Sequence, residues 1–157
     1  MTKELECADI VELATNDFED RSVRERILHL EKAMQQSPCQ VELPPRHYFA
    51  NGLYAREITI PKGTLLTGKI HKTEHLNIVS KGDISVLTED GPKRVRAPFT
   101  MVSRPGTKRV GYAHEETVWT TIHATQETDL DKIEADLIAT DFESLGLIEK
   151  ESQPCLG

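Results

Sequence analysis

His71 and His75 stand four apart in GKIHKTEHLNIVSKG, residues 68–82, a stretch bounded by Gly68 and Gly82. Two imidazoles can ligate zinc, iron, nickel or manganese when one or two further ligands converge on them. Without a metal, either ring can act as a general base, here beside Lys69. The backbone decides whether the spacing is useful. On one straight strand the two side chains share a face but lie about 13 Å apart, too far for a common ion. On a helix they would be neighbours, but Gly63, Gly68 and Gly82, with the β-rich ITI and NIVS segments, oppose a helix. A hairpin in which His71 ends one strand, Lys72-Thr73-Glu74 turn and His75 opens the next brings them within about 5 Å. The plain alternative is that both rings bond neighbouring polar groups in a pocket.

Further ligands can come from Glu74, His114 and His123. In TVWTTIHAT, Trp119, Thr121 and His123 share one strand face, so an inward-facing set would let His123 complete the cluster. His114 follows the turn around Arg104–Gly111, a place suited to the rim of a pocket. Lys69 and Arg109 are candidates for holding a carboxylate or phosphate, Arg109 through a bidentate fork. Tyr54, Tyr112 and Trp119 can wall a flat ligand such as a sugar or base; each also fits ordinary packing. His29 and His47 lie in other zones and are assigned no chemistry.

Three zones must position these residues. In 1–40, Val23, Ile27, Leu30 and Met34 form one apolar stripe, which predicts an amphipathic helix capped near Asn16 or Asp17 and ended by Ser37-Pro38. Residues 41–127 carry short β-rich pieces: LYAREITI, TLLTGKI, HLNIVS, DISVLT, KRVRA, FTMVS and TVWTTIHA. Lys81-Gly82-Asp83, Glu89-Asp90-Gly91-Pro92 and Arg104-Pro105-Gly106 punctuate them, a pattern of sandwich or barrel. In 128–157, Leu130, Ile133, Leu137 and Ile138 predict a short helix, with Thr128 and Asp131 as a capping pair, before a loose tail.

The stretch from Gly63 to Gly82 resembles the first motif of the cupin family, G-x5-H-x-H-x3,4-E-x6-G. Gly63 falls at the opening glycine, Lys69 and His71 at the two histidines, His75 at the glutamate and Gly82 at the closing glycine. APFTMVSRPGTKRVGYA echoes the second motif, with Gly106 at its central glycine, Arg109 at the third histidine, Ala113 at the asparagine and Arg104 at the proline. Residues 52–125 are also similar to small cupin-like proteins of tailed bacteriophages. The resemblance implies a mainly β fold: a single cupin-like jelly-roll β-barrel with an N-terminal amphipathic helix and a short C-terminal helix. It further implies one divalent metal and association as a homodimer. Cations at two ligand positions depart from the metal-binding pattern and leave His71 and His75 as its ligands.

A net charge of −7 argues against broad nucleic-acid binding. Lys93, Arg94, Arg96, Arg104, Lys108 and Arg109 nevertheless occur together without an acid, and they leave a local phosphate-binding row or a solvated strand edge as readings. No apolar run reaches the roughly 20 residues of a membrane span. The N-terminus has no signal-peptide pattern. Cys7, Cys39 and Cys155 give neither a CxxC pair nor the basis of a disulfide framework, which points to a reducing, cytoplasmic setting (host cytoplasm if phage-encoded). Three function classes fit: an enzyme with His71 and His75 as catalytic residues or ligands, a metal-free isomerase or epimerase included; a non-catalytic ligand-sequestering or virion-assembly protein; and, weakest, a nucleic-acid-binding module acting through residues 93–109.

Overall fold

The computed structural model describes residues 22–145. Helix α1 (Val23–Gln35) begins with a complete capping box: Ser22 accepts from the Glu25 N–H while the Glu25 carboxylate accepts from the Ser22 N–H. The cap predicted at Asn16 or Asp17 lies outside the described residues. Of the stripe, Ile27 alone is fully buried. Lys108 fixes the helix to the sheets, with its nearly buried ammonium 2.6 Å from Glu31 and donating to the Gly68 carbonyl at 3.0 Å.

Eleven strands follow among the described residues. Five form one antiparallel sheet in the order β1 (Arg46–Ala50), β2 (Leu53–Ile60), β10 (Thr117–Ala124), β5 (His75–Lys81), β8 (Phe99–Ser103). Four form a second, in the order β3 (Leu65–Thr67), β9 (Val110–Ala113), β6 (Asp83–Thr88), β7 (Gly91–Arg96). The short β4 (Ile70–His71) pairs with β11 (Ile138–Ala139), which directly follows helix α2 (Leu130–Leu137).

These sheets overturn the expected jelly-roll β-barrel. Among the described residues no sheet closes on itself; each keeps two free edges, and the fold is an open mainly β arrangement with a helix at each end of the described chain. Pro61, Pro98 and Pro105 offer the physical reason. Each sits where the chain leaves a sheet, and proline has no N–H with which to continue a ladder. Gly82 makes another crossing, between β5 and β6. Its φ is +98°, and a Cβ there would lie 2.3 Å from the Glu116 carbonyl oxygen, so only glycine fits.

Alternation along the strands builds the interior. Ile60, Val79 and Trp119 from the larger sheet meet Ile84, Val86 and Val95 from the smaller. Each fully buried aliphatic side chain contributes about 1.5–3 kcal/mol. A second cluster joins Ile133 and Leu137 of α2 to Tyr54 on β2. The α2 cap is Asp129, not the predicted Thr128, and its carboxylate accepts from the N–H groups of Asp131 and Lys132. Against the expectation of no disulfide framework, Cys39 is disulfide-bonded.

Candidate metal centre and ligand cavity

The pairing register sorts the inner face of the larger sheet into rows. Phe49, Tyr54 and His123 are cross-strand partners, and His75 pairs with Ser103 one strand further on. Two residues along lies the row His47, Arg56, Thr121, Asn77, Met101. Two further along, Ile58, Trp119, Val79 and Phe99 are aligned. A cavity of about 380 Å³ lies over these rows, walled opposite by Leu66, Ile84, Val86 and Gly111 and roofed by α2.

His71 reaches the first row from outside the larger sheet. The hairpin expected between it and His75 does not form, because β4 pairs with β11 instead of β5. The sharp 72–74 turn nonetheless stacks the two rings at 4.2 Å between centroids. His123 lies 4.9 Å from His71 and 4.8 Å from His75 on the same measure. One ligand atom from each ring falls within 4.8 Å of the others. Imidazole nitrogens sit about 2.0–2.1 Å from zinc, so small side-chain rotations let one ion engage all three.

The hydrogen bonding fits a metal. His75 Nδ1 donates to the Thr73 carbonyl at 2.9 Å, leaving Nε2 with the lone pair. His71 Nδ1, His75 Nε2 and His123 Nδ1 are all buried without a hydrogen-bond partner. Three such orphans in one place are costly unless something binds them. Burial pushes His71 down to about 3, helped by the positive charges of His75, His123, Arg109 and Arg56. Burial takes His123 to about 4, with His75 adding to the shift. His75 is lowered too, mainly by burial, against the opposing Thr73 bond. All three are neutral at pH 7, the form that binds metal without expelling a proton. The buried His71, His75, His123 cluster can therefore coordinate a divalent metal ion.

Arg109 lies beside the cluster and lines the cavity. It donates to the Ser103 hydroxyl and lies 5.8 Å from the Trp119 ring centroid. Burial lowers its pKa, and among the described residues it has no ion pair with an acid. Asn77, fully buried, ties this region together. Its Nδ2 donates to Ser103 Oγ at 2.6 Å, and its Oδ1 accepts from Trp119 Nε1 at 3.0 Å and Thr121 Oγ1 at 3.1 Å. Tyr54 stacks on His123, and its hydroxyl bonds His47 Nδ1 at 2.7 Å.

Other sequence candidates lie elsewhere. Lys69 is at the rim, ion-paired with Glu134 of α2. His114 bonds Ser85 Oγ at 2.6 Å, and Tyr112 packs edge-on against His114; neither lines the cavity. In the basic run, Asp83 takes Arg94 and Arg96, and Lys93 lies over the Phe99 ring. Those cations are already engaged, which weakens the phosphate-binding reading.

Sequence reasoning missed Asn77, Ser103 and Arg56. Asn77 and Arg56 carry a signal, since each lies two residues from a recognised site residue on the same strand face. His47 carries none, because β1 was not expected.

No protein-family model matches the chain, and no curated protein matches it. Part of the fold is similar to solved structures. KdgF from Halomonas sp. is 13% identical, with a TM-score of 0.49 over 62% of this chain and 90% of that one. An RmlC-like cupin from Shewanella frigidimarina NCIMB 400 is 16% identical, with a TM-score of 0.46 over 59% and 89%. A cupin-2 domain containing protein from the same organism is 17% identical, with a TM-score of 0.45 over 55% and 84%.

Proposed function

We propose that this protein holds one divalent metal ion on His71, His75 and His123 and presents it to a small anionic ligand received by Arg109. The observation that carries the reading is the set of three buried, unpartnered imidazole nitrogens beside an arginine that makes no ion pair among the described residues. Three protein ligands leave coordination positions open, the arrangement of metal sites that act on a bound molecule. When bound, the ion would supply Lewis-acid polarisation of a ligand carbonyl or a more acidic water. The chain's own residues do the rest. Thr73 orients His75, β11 holds His71, and Asn77 with Ser103 fixes the Arg109 fork.

Elemental analysis of untagged protein purified without chelator tests this, beside a His71→Ala/His75→Ala variant. The expected result is near-stoichiometric metal in the native protein and none in the variant. No metal in either after resupply with zinc, iron, nickel and manganese overturns the reading.

A further inference from the structure

We infer that the ligand is a monocarboxylate carrying an apolar chain or ring, bound with its carboxylate at Arg109 and its hydrocarbon part in the deep half of the cavity. This rests on the proposed metal-centred pocket and specifies what fills it.

The rows of the larger sheet change character in one direction. β2 presents Tyr54, then Arg56, then Ile58 and Ile60; β10 presents His123, then Thr121, then Trp119; β5 presents His75, then Asn77, then Val79. Opposite, Arg109 immediately precedes β9 and Gly111 lies within it, and both line the cavity. Successive rows are about 6.6 Å apart, two residues of strand rise. A ligand entering past the histidines thus meets cations and amides about one row in and hydrocarbon about two rows in.

The deep half is walled by Ile58, Ile60, Leu66, Ile84, Val86 and one face of Trp119. The indole N–H there is already bonded to Asn77. Water needs two to four polar partners to settle in a cavity, and this region offers almost none. Gly111 keeps it open: a Cβ at that position would lie 3.1 Å from Ile84 Cδ1 and 3.2 Å from Leu66 Cδ2. The occupant that stabilises such a space is itself apolar.

The middle row sets the charge. Arg109 donates to the Ser103 hydroxyl and, weakly, to the Met101 sulfur at 4.0 Å, and among the described residues the rest of its five donors have no acceptor. Arg56 also lines the cavity without an ion pair among the described residues. Two arginines favour an anion, but the rim carries Asp131 and Glu134, and among the described residues only Glu134 is answered by a cation, Lys69. Acids at the entrance disfavour multiply charged ligands, so one carboxylate suits the site better than a phosphate.

Trp119 is the sole tryptophan of the chain and reports on the cavity without any assay of activity. Acetate, butanoate, hexanoate and hexan-1-ol are titrated against the zinc-loaded and the metal-free protein, with indole fluorescence as the readout. Affinity is expected to rise about fourfold per methylene, following about 0.8 kcal/mol per buried CH₂. Hexanoate is expected to bind more tightly than hexan-1-ol, and Arg109→Gln to remove that difference while the alcohol binds as before. Equal binding of acetate and hexanoate by a protein that takes up zinc overturns the apolar slot and leaves the metal reading standing. Hexan-1-ol matching hexanoate overturns the carboxylate assignment. A chain-length series obeyed by a protein that binds no metal supports the slot and overturns the metal reading.

Discussion

His71 and Ile138 are backbone partners: the strand carrying one imidazole of the cluster is paired to the strand that follows the C-terminal helix. Lys72 strengthens the tie, its N–H donating to the Leu137 carbonyl and its ammonium to the Ala135 carbonyl, both at 2.8 Å. Helix α2 therefore roofs the cavity and also fixes the ring that neither of the two larger sheets supplies.

Removing the α2 cap should loosen the metal site. Asp129→Ala deletes the acceptor for two N–H groups and is expected to lower stability by about 1 kcal/mol. Zinc affinity is expected to fall severalfold in a competitive chelator titration. Ser22→Ala, which breaks the equivalent cap of α1, should lose similar stability with zinc affinity unchanged. Equal zinc affinity in both variants would show that α2 does not position His71.

His123 should matter to the metal as much as His71 or His75. His123→Ala is expected to weaken zinc binding by more than the ten- to hundredfold typical of removing a group that merely orients a ligand. Calorimetric titration of the variant checks it. His114→Ala, remote from the cluster, should leave binding intact.

The metal-free protein should lose stability in mild acid. The folded pKa values of His71, about 3, and His123, about 4, lie below the unfolded value of 6.5. Below pH 6.5 the unfolded chain takes up protons that the folded cluster refuses. Stability is thus complete above that pH and declines toward pH 4, at up to about 1.4 kcal/mol per pH unit for each imidazole. Urea midpoints at pH 7.5, 6 and 5 measure the slope, and a flat series contradicts it. Bound zinc should steepen the loss, since protons then compete with the ion.

Asn77 should be a structural keystone of the cavity floor. Asn77→Leu leaves Trp119 Nε1, Thr121 Oγ1 and Ser103 Oγ without their shared partner. The expected loss is on the order of 3 kcal/mol, since each stranded buried group costs about 1–3. Urea unfolding followed by Trp119 fluorescence reads it, and an unchanged midpoint would mean that water replaces the amide.

Much of the fold is legible because burial alternates with period two. LYAREITI, HLNIVS, DISVLT, FTMVS and TVWTTIHA all lie in strands. RHYFA and VGYA were missed: β1 is exposed at all but one position, and β9 is four residues with an internal glycine. The same pattern read alone cannot separate a closed barrel from open sheets. Closure depends on which edges pair, and alternation is identical in both.

By itself the sequence determined the strand faces, the turn at 72–74 and two of the three clustered imidazoles, because these depend on residues a few positions apart. His123 could be named a candidate only on condition that its face pointed inward. Tertiary structure decided that condition and brought Arg109, Asn77 and Ser103 into one network while sending His114 and Tyr112 to another surface. It also replaced the local hairpin with a pairing of His71 to Ile138, far away in the chain. Such contacts arise from the packing of whole sheets and a helix, which buries far more apolar surface than any local turn and therefore overrides it.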